Sequence, residues 1–370
     1  MNVLVMASTI KMGGAKTIYN QFMSHLPEHI GSDKYLIYVS EMLEKPEITN
    51  VEYVVNHITN GLKLLRYERK HLANDLEQRG FKPDLIISLQ NNGYKYIKNC
   101  KQIVYYHQAL PLYEGIYNPF NSTERILFYY KNVYPYVMKS TWAKDTIFAV
   151  QTPVVKKRFS KTFGVPQERI NIFFPDTEQI DASSVKPYDW GDENYHFLFV
   201  GDGFKYRNQL SLIKAIRVLY QKNASLAERV RIHVLSPKEH NSTIIPTIEN
   251  LGLKDNFVFV GRVDYHILLS YYKSAQALLL SSVIETVGLP LLEAAAFGIP
   301  VITSDMDFAQ FVISAYGGAS FIEPYDEVAW STAIEDASLN RKHFMPFIQN
   351  QMSEWHHFFE LVSENLSKES

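Results

Sequence analysis

Short apolar runs alternate with longer amphipathic ones along the first half of the chain. "NVLVMA" (2–7), "YLIYVS" (35–40), "VEYVV" (51–55), "DLIISL" (84–89) and "QIVYY" (102–106) are brief, rich in β-formers and bounded by polar, Gly or Pro residues. Runs of that kind read as strands buried on both faces of a parallel sheet. Between them, "AKTIYNQFMSHL" and "GLKLLRYERKHLANDLEQRG" carry helical spacing, the second ending at Gly80 ahead of Pro83. The pattern then restarts with "YHFLFVG" (195–201), "RVRIHVLS" (229–236), "NFVFVG" (256–261), "AQALLLSS" (275–282), "PVITS" (300–304) and "ASFIE" (319–323). The stretch 173–194 is rich in Asp, Pro and Ser and lacks a period, which makes it the expected linker. The run 344–366 predicts one long amphipathic helix. The pattern therefore predicts an α/β protein of two doubly wound domains, 1–175 and 176–345, followed by a helical segment 346–370.

Composition adds a polarity to this picture. Residues 1–175 hold 22 Lys and Arg against 14 Asp and Glu, whereas 176–370 hold 15 against 25, although the whole chain of 370 residues is close to neutral at −2. Two halves of opposite sign suit two units that meet different partners. One cysteine, Cys100, excludes a disulfide framework and a cysteine zinc site. No signal peptide opens the sequence and no apolar run nears the ~20 residues that cross a bilayer, so the expected compartment is the cytoplasm. Nothing resembles a nucleic-acid-binding module.

Ligands of open α/β sheets lie beyond the carboxyl ends of the strands. Gly13 and Gly14, Gln90 to Gly93, His107, Gly201, Gly261 and Glu285 all fall there. The first of these loops, "STIKMGGAKT" (8–17), has the look of a phosphate-binding turn. A triphosphatase loop needs a glycine directly before its lysine, and Ala15 stands there instead. Lys16 then begins a helix rather than touching phosphate.

The densest signal is "SSVIETVGLPLLEAAAFGIPVITSD" (281–305). A strand ends at its start, a turn carries Glu285, and a helix begins near Leu289 with Pro290 in its first turn. The backbone amides of Val287, Gly288 and Leu289 would stand at the positive end of that helix, a seat for a diphosphate. The segment resembles the E-x7-E signature of retaining GT-B glycosyltransferases of family 4, in the spacing Glu285-x7-Glu293 and in "GLPLLEA". It departs from the usual form at Thr286-Val287, where the family has Gly-Phe. "FLFVGDGFKYRNQLSLIKAI" (197–216) resembles the family segment in which an Arg and a Lys clamp the donor diphosphate. Arg207 stands nearest the lysine position, Asp202 replaces the arginine, and Lys205 is the nearby substitute.

The resemblance implies a GT-B fold, two Rossmann-like domains facing each other across a cleft, with the last helix crossing back to the first domain. It implies a sugar nucleotide as donor, with no metal or other cofactor. Glu285 would orient the sugar or stabilise its developing charge, Glu293 would meet the ribose, and Arg262 would lie by the base. Gly13 and Gly14 would face the donor and acceptor, and His107 would touch the donor sugar. Asp305 and Asp307 mimic a D-x-D metal motif but follow a strand where this family has a loop, and are read as incidental. The expected acceptor is a saccharide or lipid-linked saccharide hydroxyl bound by the first domain. The aromatic and basic segment 105–142, with Lys63, Arg66, Arg69 and Lys70, suits an anionic membrane surface. Three rivals stay open at this point: a GT-B sugar-nucleotide epimerase, a catalytically silent scaffold and a triphosphatase.

Overall fold

The computed structural model describes residues 1–11, 13–58, 60–122, 124–177, 180–348 and 353–366. It divides into two compact units, Met1–Asp176 with Gln351–Ser370, and Thr177–Asn350.

The first unit is built on seven parallel strands: β1 (Asn2–Ala7), β2 (Lys34–Ser40), β3 (Val51–Asn56), β4 (Leu85–Ser88), β5 (Lys101–Tyr106), β6 (Ile147–Val150) and β7 (Ile170–Ile172). Their order is β3-β2-β1-β4-β5-β6-β7, with Val3 opposite both Tyr35 and Leu85. Period-two alternation sends Val3, Val5 and Ala7 to one face and Leu4 and Met6 to the other. The first face is covered by the helix Gly14–His29, which buries Ile18, Tyr19, Phe22, Met23 and Leu26. The helix Trp355–Leu366 packs onto the same cluster through Trp355, Phe358, Phe359 and Val362. Phe359 stacks on Phe22 at 5.3 Å, and the Trp355 indole donates to Gln21 Oε1 at 3.0 Å. The chain's last helix thus belongs to the unit that holds its first strand.

The second unit has six parallel strands: β8 (Tyr195–Phe199), β9 (Val230–Val234), β10 (Phe257–Phe259), β11 (Ala277–Leu280), β12 (Val301–Ser304) and β13 (Ala319–Ile322). Their order is β10-β9-β8-β11-β12-β13. Phe197, Phe199, Ile232 and Val234 pack against Leu212 and Ile216 of the helix Gln209–Lys222 and against Trp330 and Ile334 of the helix Glu327–Leu339. Both sheets reverse direction once: between β1 and β4, and between β8 and β11. Those two switch points are where doubly wound sheets open a crevice for ligands.

Two expectations need correction, and two strands went unforeseen. The helix expected over 61–80 is two, Gly61–Lys70 and Leu72–Gln78. The break is a kink at His71, whose φ of −119° interrupts an otherwise helical ladder. Strands β6 and β7 carry no readable period because they hold four and three residues. The helix expected over 344–366 forms only from Trp355; 341–348 is irregular, and 349–352 lie outside the described residues. Met12 of the opening loop and residues 178–179 of the linker also lie outside them.

Local signals are otherwise obeyed. The helix Pro153–Phe163 starts with Thr152 Oγ1 accepting from Val155 N at 3.2 Å and stops at Gly164 in the left-handed region, φ +64°. Removing that cap in Thr152→Ala costs about 1 kcal/mol in urea unfolding of the first unit.

Candidate active site

At the second unit's switch point, the loops after β8 and β11 meet. Gly201 follows β8 with φ +156°, and a Cβ there would sit 3.3 Å from Arg207 Cδ and Nε. Only a glycine lets the arginine lie back across this turn. Arg207 ends the 3₁₀ turn Lys205–Arg207, after which Asn208, at φ +53°, opens the helix Gln209–Lys222. Asn208 is held by its own amide, which donates to Pro324 O at 2.6 Å, and by Ser211 Oγ at 3.0 Å.

Arg207 forms an ion pair with Glu285, the two side chains being 21% and 12% exposed. Its Nη1 also reaches Ser282 Oγ at 3.3 Å, while Ser281 Oγ donates to the Arg207 carbonyl at 2.7 Å. Val283 N donates to Tyr206 O at 2.9 Å, tying the two loops together. The guanidinium lies over the Tyr206 ring at 5.2 Å, and its Nε is buried with no acceptor among the described residues. An arginine this constrained keeps a fixed donor for an incoming anion.

The helix Leu289–Ala296 begins three residues past the Thr286 that follows Glu285. Gly288 supplies its start at φ +83° and has no side chain to cap it, and no acid lies in the first turn. Val287 and Leu289 flank that glycine, Val287 with its side chain in the core. No carboxylate of the helix's own first turn offsets its positive end. Glu293, one turn on, accepts from the fully buried Tyr272 hydroxyl at 2.9 Å. The two glutamates therefore differ: Glu285 faces a cation, Glu293 a neutral phenol.

Other expected residues sit further out. Asp202 accepts from Ser236 Oγ and lies 3.2 Å from His240 Nδ1, so the acid in the expected arginine position is occupied by the turn Lys238–Asn241. Lys205 is exposed on its turn. Arg262 is exposed beyond β10, two strands from β8, and no hydrogen bond or ion pair joins it to Arg207 or Glu285 among the described residues. Asp305 is bonded to Gln310, and no cluster of metal-ligating side chains occurs among the described residues.

The first unit carries a cavity of about 820 Å³ at its own switch point. Ser8 to Lys11 after β1, Gln90 to Asn92 after β4, and His107 and Gln108 after β5 line one side. Ile126, Tyr129, Tyr130 and Tyr134 line the other. His107 Nε2 lies 2.9 Å from Leu89 O; a carbonyl only accepts, so Nε2 carries the proton. Burial lowers the His107 pKa, with the Leu89 carbonyl opposing, so the ring is neutral at pH 7 and its Nδ1 is an acceptor. Ser8 Oγ, Asn92 Oδ1 and Gln108 Oε1 are buried with no hydrogen-bond partner among the described residues. A wall of unpaired oxygens suits a ligand that brings hydroxyl donors, and tyrosine faces suit a sugar ring. Gly13, at φ +66°, starts the helix Gly14–His29; neither glycine has an atom within 4 Å of an added Cβ, so open space lies beside both. They do not line the cavity; Lys11 and Ala15 on either side do.

With this geometry in view, the comparisons are specific. Residues 182–353 match the family described as glycosyl transferases group 1. That match covers most of the second unit and both of its site loops. An O-antigen chain mannosyltransferase, RfbU of Salmonella typhimurium, is 31% identical over 182 residues, 49% of this chain and 48% of that protein. The chain thus aligns with about half the length of this relative. Among solved structures, WaaG, a glycosyltransferase involved in lipopolysaccharide biosynthesis, superposes with a TM-score of 0.65 at 16% identity, covering 100% of this chain and 96% of that one. HepE of Anabaena in complex with UDP-glucose gives 0.65 at 15%, covering 99% of both. The fold is GT-B.

Sequence reasoning named Arg207, Glu285 and His107 but not the bonds they make. It passed over Ser281, Ser282 and Asn208, which carry no signal outside the fold. The polar run "QNNG" straight after an apolar strand did point to the cavity wall.

Proposed function

We propose that this protein is a retaining glycosyltransferase of family 4 that moves a sugar from a nucleoside-diphosphate donor to a hydroxyl of a saccharide or lipid-linked saccharide, in the synthesis of a bacterial surface polysaccharide. A UDP-sugar is the favoured donor, and GDP-mannose is admitted. The observation that carries this reading is the Arg207–Glu285 pair beside a helix that starts on Gly288 at a topological switch point, inside the matched segment. The barrier to transfer is the separation of a sugar cation from a diphosphate. Arg207 and the amides of Val287, Gly288 and Leu289 hold the departing diphosphate, with Lys205 adding charge. Glu285 orients the sugar hydroxyls or stabilises the developing cation, Glu293 meets the ribose, and Arg262 lies by the base. On the first unit, His107, Gly13 and Gly14 meet the transferring sugar, and the tyrosine-walled cavity holds the acceptor. No side chain stands as a covalent nucleophile in this reading, so the acceptor attacks on the face from which the diphosphate leaves, and no metal takes part. Incubation with UDP-glucose, UDP-galactose and GDP-mannose, followed for release of UDP or GDP, tests the reading directly. The engaged Asp202 removes one cation from the clamp and favours the scaffold alternative, which would show nucleotide binding without turnover; an epimerase would interconvert sugar nucleotides and release none.

The acceptor's lipid end has a surface to rest on. Ile116, Phe120 and Tyr136 are 83%, 95% and 76% exposed, with Ile126, which also lines the cavity, at 53%. Arg125, Lys139, Lys63, Arg66, Arg69 and Lys70 are exposed on the same unit. Protruding apolar side chains with basic neighbours suit an anionic bilayer. No helix among the described residues is long and apolar enough to cross one. Sedimentation with anionic vesicles is expected to pull down the protein in a salt-sensitive way, more weakly for Phe120→Ser. Equal recovery with neutral and anionic vesicles contradicts this surface.

A further inference from the structure

Behind the cavity wall lies a carboxyl that the proposed reaction does not use. Glu68, on the helix Gly61–Lys70, is 1% exposed. It sits between the buried Leu64 of the same helix and the buried Leu72 of the next, and Lys63, Arg66, Arg69 and Lys70 of its own helix are exposed. Buried glutamates without a cation are rare because ionisation there loses its hydration.

Glu68 Oε1 accepts from Gln90 Nε2 at 2.7 Å. The same Nε2 donates to the Tyr94 hydroxyl, and Gln90 Oε1 accepts from Thr9 N at 2.9 Å and from Thr9 Oγ1 at 3.3 Å. Gln90 is 2% exposed, and every polar position on its carboxamide is used. Thr9 begins the loop that leaves β1 and enters Gly13, and it lines the cavity. Flipping the carboxamide would set its NH₂ against the Thr9 N–H and its oxygen against the Glu68 carboxylate. The Thr9 N–H and the Glu68 carboxyl thus select the same orientation from opposite ends of the carboxamide, and Glu68 supplies the half that holds the NH₂.

We infer that Glu68 is a positioning residue: by fixing the orientation of the Gln90 carboxamide, it fixes the Thr9 turn of the loop that borders the cavity and leads into Gly13. Its effect on sugar transfer rests on the glycosyltransferase reading, whereas its effect on the loop does not.

The device is sensitive to pH. Burial pushes the Glu68 carboxyl up to about 7, against the hydrogen bonds from Gln90 and Tyr94. The ionised form is the stronger acceptor, so the loop tightens as Glu68 loses its proton. The other titratable groups facing it are Tyr67 on its own helix, Tyr94 and Tyr96 after β4, and Tyr134 across the cavity. All four are raised above the ordinary tyrosine value, mainly by burial. None of the groups acting on Glu68 is a cation. His107 bonds Leu89, next to Gln90, but its pKa is lowered, which separates its titration from that of Glu68.

Backbone hydrogen exchange at Thr9 in the ligand-free protein tests this. In the wild type, protection corrected for the intrinsic rate should rise through a midpoint near 7. In Glu68→Gln, whose side chain can present either oxygen or NH₂ to Gln90, Thr9 should exchange roughly three- to tenfold faster and without that step. Val3 and Val5 amides in β1 should be unchanged. Equal Thr9 protection in the two proteins overturns the inference, as does loss spread evenly over β1. Should the variant fail to fold, the wild type decides alone: the Thr9 step and the carbon-13 shift of the Glu68 carboxyl must share a midpoint, and protection that stays flat while Glu68 titrates overturns the proposal.

Discussion

Glu285→Ala is expected to lower sugar transfer by about 10²–10³-fold while leaving nucleoside-diphosphate affinity unchanged or tighter. The sign comes from the ion pair. Glu285 pairs with the guanidinium of Arg207, and both side chains are shielded from solvent. A diphosphate and Glu285 compete for the same cation, so removing the carboxylate releases Arg207 to the phosphates. Arg207→Ala behaves differently: it removes the cation and leaves Glu285 half-buried and unpaired beside the incoming anion. Affinity and turnover should both fall, each by about tenfold or more. Calorimetry with UDP and GDP, together with initial rates, separates the two variants. Weaker nucleotide binding in Glu285→Ala with normal turnover would contradict the assigned role.

The second unit should lose stability in acid, and a histidine pair accounts for it. His196 Nε2 is 2.8 Å from Asp192 Oδ1, and His196 Nδ1 is 2.9 Å from His233 Nε2. The carboxylate accepts, so His196 Nε2 carries a proton, its Nδ1 accepts, and His233 Nε2 donates. Trp190 stacks on both rings at 4.4 and 4.3 Å, and the exposures of the two histidines are 5% and 8%. The bond between the rings requires His196 Nδ1 to carry no proton, and burial of both rings disfavours a charge on either. Burial pushes His233 down to about 4, with His196 adding to the shift, and burial lowers His196 too against the pull of Asp192. A histidine depressed in the folded state binds its proton more readily in the unfolded chain. Stability is therefore full above the ordinary value of 6.5 and falls as pH drops from there toward 4. For His233 the loss is about 2–3 kcal/mol at the low end. Urea unfolding across that range should show it, and His233→Leu should flatten the acid limb. For unfolding of the first unit as a whole Glu68 acts in the opposite sense: its carboxyl is raised, so its contribution is present in acid and is lost as pH climbs through about 7, while within the folded state the ionised form holds Gln90 the more tightly.

Much of this molecule can be read from the chain because parallel strands buried on both faces must be apolar throughout. β1, β2, β8, β11 and β12 announce themselves in that way. β6 and β7 do not, since four and three residues give no period and their register is set by β5. The helix start at Leu289 was legible from Gly288 and Pro290, a local signal. Pairing of Arg207 with Glu285 was not, because 78 residues and a strand crossover separate them. Glu68 shows the same limit from the other side. Its place among Leu64 and Leu72 marks it as a charge on an apolar face, but only the fold supplies Gln90 as the reason. The tyrosine-rich segment after β5 is split by the fold between cavity wall and exposed surface, a division that composition alone does not make.

The most direct test of the account is calorimetric titration of UDP, GDP and ADP, without added metal, into the wild type and Arg207→Ala. The account predicts that UDP or GDP binds the wild type selectively and that the variant loses about tenfold or more in affinity. Absence of diphosphate binding, or equal affinity in the two proteins, would contradict a sugar-nucleotide site built on Arg207 and Glu285.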